Sequence, residues 1–148
     1  MKFISITRNN FPLWRQFREA IYDTLEDEYH SREMEILLKS DAWHCWFVTD
    51  EHNEKIGLVE LSLRNIVDGC LSTPVVYLEG LYLKPEYRNK GLGTQLIKKL
   101  MNWCSDQGYS ELATDTQITN IKAQQFYEKL GFEEVDRVVE YRIDIVKI

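Results

Sequence analysis

Leu81-Tyr82-Leu83-Lys84-Pro85-Glu86-Tyr87-Arg88-Asn89-Lys90-Gly91-Leu92-Gly93-Thr94 reads as an apolar strand that enters a turn and opens a helix at two glycines. A helix N-terminus leaves backbone N–H groups without partners and carries partial positive charge, so an anion placed there gains several hydrogen bonds and a favourable dipole interaction. Gly91 and Gly93 let the backbone come close, and Arg88 and Lys90 concentrate positive charge in a chain whose total is −6. The chemistry this suits is the holding of a pyrophosphate; a solvated turn whose glycines serve only chain reversal is the alternative. The spacing does not fit the G-x-x-x-x-G-K-[ST] loop of nucleotide triphosphate binders, and no G-x-G-x-x-G fingerprint is present.

A second group stands just before that turn. Glu79 is the lone carboxylate of the apolar run Val75–Leu83, and Gly80 beside it suggests a β-bulge. Burying an unpaired carboxylate is expensive, so Glu79 is expected to be paired, pKa-shifted or facing a cleft. A raised pKa would suit a general base; a place at the sheet rim, touching water or a lysine, is the structural alternative. Asp115 follows the short strand Glu111–Thr114 and is suited to hold a cation by charge-assisted hydrogen bonding, although turn chemistry alone also favours Asp there. Cys45, Cys70 and Cys104 are odd in number and widely separated, without metal-ligand spacing, so no metal site and no disulfide framework is expected.

These groups need a scaffold. The 148 residues, 44% hydrophobic and 12% aromatic, suit one domain over 1–148 with a real core. Phe3–Ile6 alternates as a strand, and Asn9-Asn10 offers a cap before a helix with Leu13, Phe17, Ala20 and Ile21 on its inner face. A carboxylate-rich stretch from Asp23 to Glu35 leads into a shorter helix carrying Met34, Leu37 and Leu38. Strands are predicted over His44–Thr49 and Ile56–Arg64, then a central strand over Val75–Leu83, nearly continuous in apolar residues as if buried on both faces. Leu92, Leu96, Ile97, Leu100, Met101 and Cys104 recur at helical spacing until Gly108. Thr119 or Asn120 caps a further helix bearing Ala123, Phe126, Tyr127 and Leu130, and Phe132–Ile145 reads as two final strands. The order is mixed α/β with a helical crossover after the central strand.

Charge narrows the partners. An acidic chain without a concentrated basic face is unsuited to nucleic acid or an anionic membrane surface, and it attracts polycations instead. No apolar run approaches the roughly 20 residues that span a bilayer, and the opening residues lack the apolar centre of a signal peptide, so a cytoplasmic protein is expected.

Arg88-x-x-Gly91-x-Gly93 after a buried strand resembles the acetyl-coenzyme A signature of the GCN5-related N-acetyltransferases, and Asn120 followed by Phe126-Tyr127-Glu128-Lys129-Leu130-Gly131-Phe132 resembles the family's second signature. The resemblance implies an α/β (α+β) fold: a mixed, mostly antiparallel sheet of about six to seven strands with helices on both faces, splayed between the fourth and fifth strands. Acetyl-CoA would be wedged in that fork, against Leu81, Tyr82, Leu83, Arg88, Asn89, Lys90, Gly91, Leu92, Gly93, Thr94, Asn120 and Tyr127. It further implies that the Leu81 N–H is the oxyanion donor. Tyr127 fits the acid for the departing thiolate, since a phenol of pKa about 10 can donate to a thiolate whose conjugate acid lies near 8.5; a core tyrosine is the alternative. Glu79 would take the amine's proton, directly or through a water chain.

A narrower likeness, over Trp14 and Arg18, Glu33-Met34, Ser72-Thr73-Pro74-Val75, Leu78-Glu79-Gly80 and Ala113-Thr114-Asp115, is to the aminoglycoside 6'-N-acetyltransferases. By it the acceptor is a cationic small-molecule amine, met by Glu79 and Asp115. The acidic segment from Asp23 to Glu35, with Glu26 and Asp27, lies where the family usually builds its acceptor wall, a solvated helix face being the alternative, and Trp14 and Tyr22 either belong to the core or present flat faces to sugars and ammonium groups. Relatives of this branch can lack tyrosine at the position of Tyr127. The branch is commonly dimeric, and the strand-like tail Val135–Ile148, with an apolar edge to cover, fits a homodimer. A polyamine or a protein amine as acceptor, or a non-catalytic acyl-CoA-binding module, are the rival readings.

Overall fold

The computed structural model describes residues 1–146. Among them, β1 (Lys2–Ser5), β2 (Trp43–Thr49), β3 (Lys55–Arg64), β4 (Val75–Leu83) and β5 (Leu112–Thr114) form one sheet in that spatial order. The first four pair antiparallel and β5 lies parallel to β4. Local chemistry sets these directions. Between β2 and β3, one carboxylate oxygen of Asp50 accepts the N–H groups of His52 at 2.8 Å and Glu54 at 2.9 Å, closing a tight reversal. A parallel neighbour needs a crossover, and α3 (Leu92–Asp106), 15 residues long, supplies it.

Helices α1 (Phe11–Ile21) and α2 (Asp27–Lys39) cover one face of the sheet. Ile6, Trp14, Phe17, Met34, Leu37, Phe47 and Leu58 form the core there, each large apolar side chain contributing about 1.5–3 kcal/mol by leaving water. The inner stripe of α1 is rotated from the expected one. Trp14, Phe17 and Arg18 are buried, Leu13 and Ile21 flank the core, and Ala20 is exposed. On α3 the expected stripe is buried at Leu96, Ile97, Leu100 and Cys104, while Met101 is exposed. The indole of Trp103 meets Trp46 edge-on at 5.0 Å and His44 at 5.1 Å, which seats α3 on the sheet face opposite Phe47.

The chain divides into two compact units, Met1–Asp115 and a second that begins at Thr116. The second carries α4 (Ile121–Lys129), whose N-terminus is capped as expected: the Asn120 side-chain oxygen accepts the Ala123 N–H at 3.1 Å. Two expectations are corrected. The sheet has five strands, not six to seven, and Phe132–Ile145 contains no strand among the described residues. Alternating apolar residues mark a segment able to pair, but a strand exists only where a neighbour accepts its backbone hydrogen bonds. Here Val135, Val138, Val139, Tyr141, Ile143 and Ile145 are exposed.

Candidate active site

The sheet is irregular at Glu79. Glu60 lies opposite Gly80 and Leu61 opposite Leu78, so Glu79 is an extra residue in β4, the bulge that Gly80 suggested. Pairing with β5 stops at Leu78 and Thr114. Residues 79–83 therefore continue without a β5 partner, which is the splay the family resemblance called for.

Bulging turns the Glu79 side chain toward β3. One carboxylate oxygen accepts the Ser62 hydroxyl at 2.5 Å and the Arg64 Nε–H at 3.0 Å, and the other accepts Arg64 Nη2–H at 2.8 Å. Glu79 is thus paired, by an arginine rather than a lysine, and its side chain keeps 16% of its surface in contact with solvent. The Arg64 guanidinium carbon also lies 3.5 Å from the centre of the Tyr77 ring, and the Tyr77 hydroxyl donates to Asp115 at 2.6 Å. Burial, reinforced by the hydrogen bond to Asp115, raises the Tyr77 pKa and keeps the phenol a donor. Asp115, Tyr77, Arg64 and Glu79 accordingly form one continuous chain of contacts from the end of β5 to the bulge.

Sequence reasoning passed over Glu60. Its side chain is fully buried in mid-β3, where Trp14 Nε1–H donates at 2.7 Å, Arg18 Nη1–H at 2.5 and 2.6 Å, and the Tyr22 hydroxyl lies 3.0 Å away. The second amino group of Arg18 reaches Glu33 on α2. A buried carboxylate is tolerable only with such a full set of donors. The signal was available: Trp14, Arg18 and Tyr22 recur every four residues, a polar-tipped stripe running along α1 to its C-cap on the side that turns toward the sheet. Burial, and then the negative charge of Glu60, raise the Tyr22 pKa, so this hydroxyl stays protonated across the physiological range.

Beside this cluster opens a cavity of about 300 Å³ lined by Arg18, Tyr22, Leu25, Glu33, Ile36, Leu37, Trp43, Glu60 and Glu79. Three carboxylates against the one guanidinium of Arg18 leave the recess acidic, and with the rings of Tyr22 and Trp43 it suits a cationic guest, met at Glu33 and Glu79 since Glu60 is already filled by its donors. Of the expected acceptor residues, Glu79 and Tyr22 line it. Trp14 is fully buried and bonded to Glu60. Glu26 is the exposed N-cap of α2, and Asp27 pairs with Arg15 at 3.1 Å; neither lines the cavity, and Glu33 is the member of the acidic stretch that does.

Residues 88–94 build a second feature. Asn89 and Gly91 adopt left-handed φ angles of 59° and 79°, which Asn and Gly tolerate best. The first bond inside α3 runs from the Gln95 N–H to the Gly91 carbonyl at 3.1 Å, so the N–H groups of Leu92, Gly93 and Thr94 have no partner within the helix. Apart from its chain neighbours, no described atom lies within 4 Å of where a Cβ would stand on Gly91. A row of donors without helical partners next to an uncrowded glycine fits a phosphate. The Arg88 Nε–H donates to the Leu83 carbonyl at 2.8 Å, fastening the turn to the end of β4, while Asn89 and Lys90 are exposed.

In the second unit, Tyr127 is half-buried, with its ring 5.3 Å from that of Phe126 and 5.2 Å from that of Phe132. Burial raises the pKa of all three cysteine thiols, that of Cys104 to about 11, which disfavours a thiolate nucleophile. Among the described residues no group of three or more His, Cys, Asp or Glu side chains is placed to hold a metal ion, and no helix is long and apolar enough to cross a membrane.

Comparison with known proteins adds to this geometry. The model of the acetyltransferase (GNAT) family matches residues 13–132. The chain is 34% identical over 143 residues to aminoglycoside N(6')-acetyltransferase type 1 of Salmonella typhimurium strain LT2, covering 96% of this chain and 98% of that one. With the protein of the same name from Serratia marcescens it shares 36% identity over 135 residues, 90% of this chain and 92% of the other. Among solved structures, AAC(6')-Iy in complex with the bisubstrate analog CoA-S-monomethyl-acetylneamine superposes with a TM-score of 0.82 at 31% identity, covering 97% of this chain and 98% of that one.

Proposed function

The chain belongs to the acetyltransferase (GNAT) family, and from that premise we propose that it transfers an acetyl group from acetyl-CoA to the 6'-amine of an aminoglycoside. The observation that carries this acceptor is the recess containing Glu33, Glu60 and Glu79 beside the β4 bulge, in a chain whose relatives over nearly their whole length are named for that reaction.

Acetyl-CoA supplies the activated acyl group as a thioester. The N–H groups at the start of α3, with Arg88, Asn89, Lys90, Gly91, Leu92, Gly93 and Thr94, hold the pyrophosphate. The splayed backbone at Leu81, Tyr82 and Leu83 holds the pantetheine arm, and Asn120 contributes from the second signature. The Leu81 N–H stabilises negative charge on the carbonyl oxygen. Glu79 accepts the ammonium proton, directly or through water, and Tyr127 returns a proton to the sulfur. Asp115, Tyr22 and the acidic recess hold the remaining ammonium groups of the acceptor. Transfer is direct, in a ternary complex, a reading supported by the burial that raises the cysteine pKa values. Acetylation removes a positive charge from the drug, so resistance follows.

The proposal treats 1–148 as one acetyltransferase domain, since the family match runs across the division at Asp115. It places the protein in the cytoplasm, where acetyl-CoA circulates. It also includes a homodimer, supported by the exposed apolar side chains from Val135 to Ile145; a monomeric mass at micromolar concentration by light scattering would contradict that part. Steady-state release of CoA thiol with kanamycin-type sugars against spermidine tests the acceptor. Turnover with the sugars is expected; turnover with spermidine alone moves the acceptor to the polyamines.

A further inference from the structure

The buried cluster around Glu60, part of which lines the acceptor recess, also reaches the peptide that follows Glu79. The Tyr22 hydroxyl lies 3.0 Å from a Glu60 carboxylate oxygen and 3.2 Å from the main-chain carbonyl of Glu79. Its single proton lies between these two acceptors, so one three-centre hydrogen bond joins a fixed, fully buried anchor to the peptide linking Glu79 to Gly80. Gly80 is fitted to the same hydroxyl. A Cβ there would stand 2.3 Å from the Tyr22 oxygen and 3.1 Å from Cζ. Gly80 is not among the glycines with positive φ, so glycine is required at this position for space and not for backbone freedom. The anchor is itself rigid, since Trp14 and Arg18 fill the other lone pairs of Glu60 and the Arg18 guanidinium lies 4.7 Å from the Tyr22 ring centre. Beyond the bulge, β4 has only β3 beside it, because β5 ends at Thr114, opposite Leu78. A strand with one neighbour and an extra residue needs a further hold if its next N–H is to point steadily at one place.

We propose that Tyr22, anchored by Glu60, is a positioning residue that holds the Glu79–Gly80 peptide, and through it sets both the aim of the Glu79 side chain and the direction of the Leu81 N–H. This rests on the acetyl-transfer function proposed above and assigns it a residue that touches the peptide between the base and the oxyanion donor rather than the reacting atoms. The burial that keeps the phenol protonated makes the hold independent of pH over the working range.

The test uses Tyr22→Phe, which keeps the ring and removes only the hydroxyl, and Gly80→Ala, which displaces the hydroxyl without removing it. Four quantities are read: kcat, acetyl-CoA affinity, thermal midpoint, and the thioester carbonyl stretch of bound [1-¹³C]acetyl-CoA by infrared difference spectroscopy. In the wild type the stretch is expected below its free-solution frequency. Each variant should lose about ten- to hundredfold in kcat, the scale of a displaced reacting geometry, with cofactor affinity within about twofold and with the carbonyl band moved back toward the free value. As both act on one contact, the double variant should lose little more than the larger single loss. A lower thermal midpoint with kcat and carbonyl band unchanged would overturn the positioning role while leaving acetyl transfer intact, and additive losses would do the same. An unshifted band in the wild type would instead remove Leu81 as oxyanion donor, and the proposal with it. If Tyr22→Phe does not fold, Gly80→Ala with a wild-type band decides against it.

Discussion

Arg64 and Glu79 form a two-pronged ion pair across β3 and β4, with Nη2–H and Nε–H at 2.8 and 3.0 Å from separate carboxylate oxygens. The carboxylate proposed to meet the substrate's ammonium group therefore already holds a cation. An incoming amine must share Glu79 with Arg64 or take its place. Arg64 is 43% exposed but Glu79 only 16%, and a two-pronged, partly buried pair exceeds the roughly 0–1 kcal/mol of a fully exposed one, so sharing Glu79 costs less than displacing Arg64.

Removing the resident cation should accordingly help the acceptor. Arg64→Gln is expected to lower the acceptor KM, by up to about fivefold for 1 kcal/mol, and to steepen its dependence on salt. A raised KM in initial-rate measurements would show that Arg64 serves the acceptor by orienting Glu79 instead.

Glu79→Gln keeps the shape of the side chain and removes its charge. The turnover number should fall by about a hundredfold, the lower range for a lost general base, while acetyl-CoA affinity by calorimetry stays within about twofold. Unchanged turnover would take Glu79 out of the proton pathway.

At Gly91 the constraint is the backbone, since φ is +79° and the space beside it is open. Gly91→Val forces a β-branched residue into a left-handed conformation at about 1–2 kcal/mol, and acetyl-CoA affinity should weaken about tenfold as the donors at the start of α3 lose their alignment. Gly91→Asn, which tolerates that conformation, should retain most of it. Equal affinities for the two variants would contradict the phosphate site.

Thiol chemistry gives an independent check on the route. Burial raises all three cysteine pKa values, Cys104 to about 11, so the thiolate fraction is small at neutral pH and grows only as pH climbs toward the raised values. Incubation with iodoacetamide at pH 7 should leave turnover intact. Inactivation that tracks labelling of one cysteine would point to an acyl-enzyme.

What could be read from the sequence divides along physical lines. β4 was expected over its observed span, because a strand buried on both faces leaves an unbroken apolar run, and the bulge followed from Gly80 next to a lone carboxylate. The start of α3 followed from Arg88, Gly91 and Gly93, since a helix terminus is a local event. Glu60 did not follow: its burial depends on three donors, two on α1 and Tyr22 at its C-cap, arriving over the sheet from 38 to 46 residues away in sequence. For Trp14 both a core place and a flat face toward ligand were open, and it is fully buried as one of those donors. The tail failed for the same reason in reverse. Val135 to Ile145 alternates like a strand, but alternation is local and a partner strand is not.

One measurement bears most directly on the chemistry assigned to the Glu79 recess. The protein is mixed with [1-¹³C]acetyl-CoA and kanamycin A, which bears a 6'-amine, and the product is located by two-dimensional NMR. A new amide at the 6'-nitrogen, formed in step with free CoA and absent with an aminoglycoside bearing a 6'-hydroxyl, is the predicted result. Acetylation at another nitrogen, or no thiol release with any aminoglycoside, would contradict it.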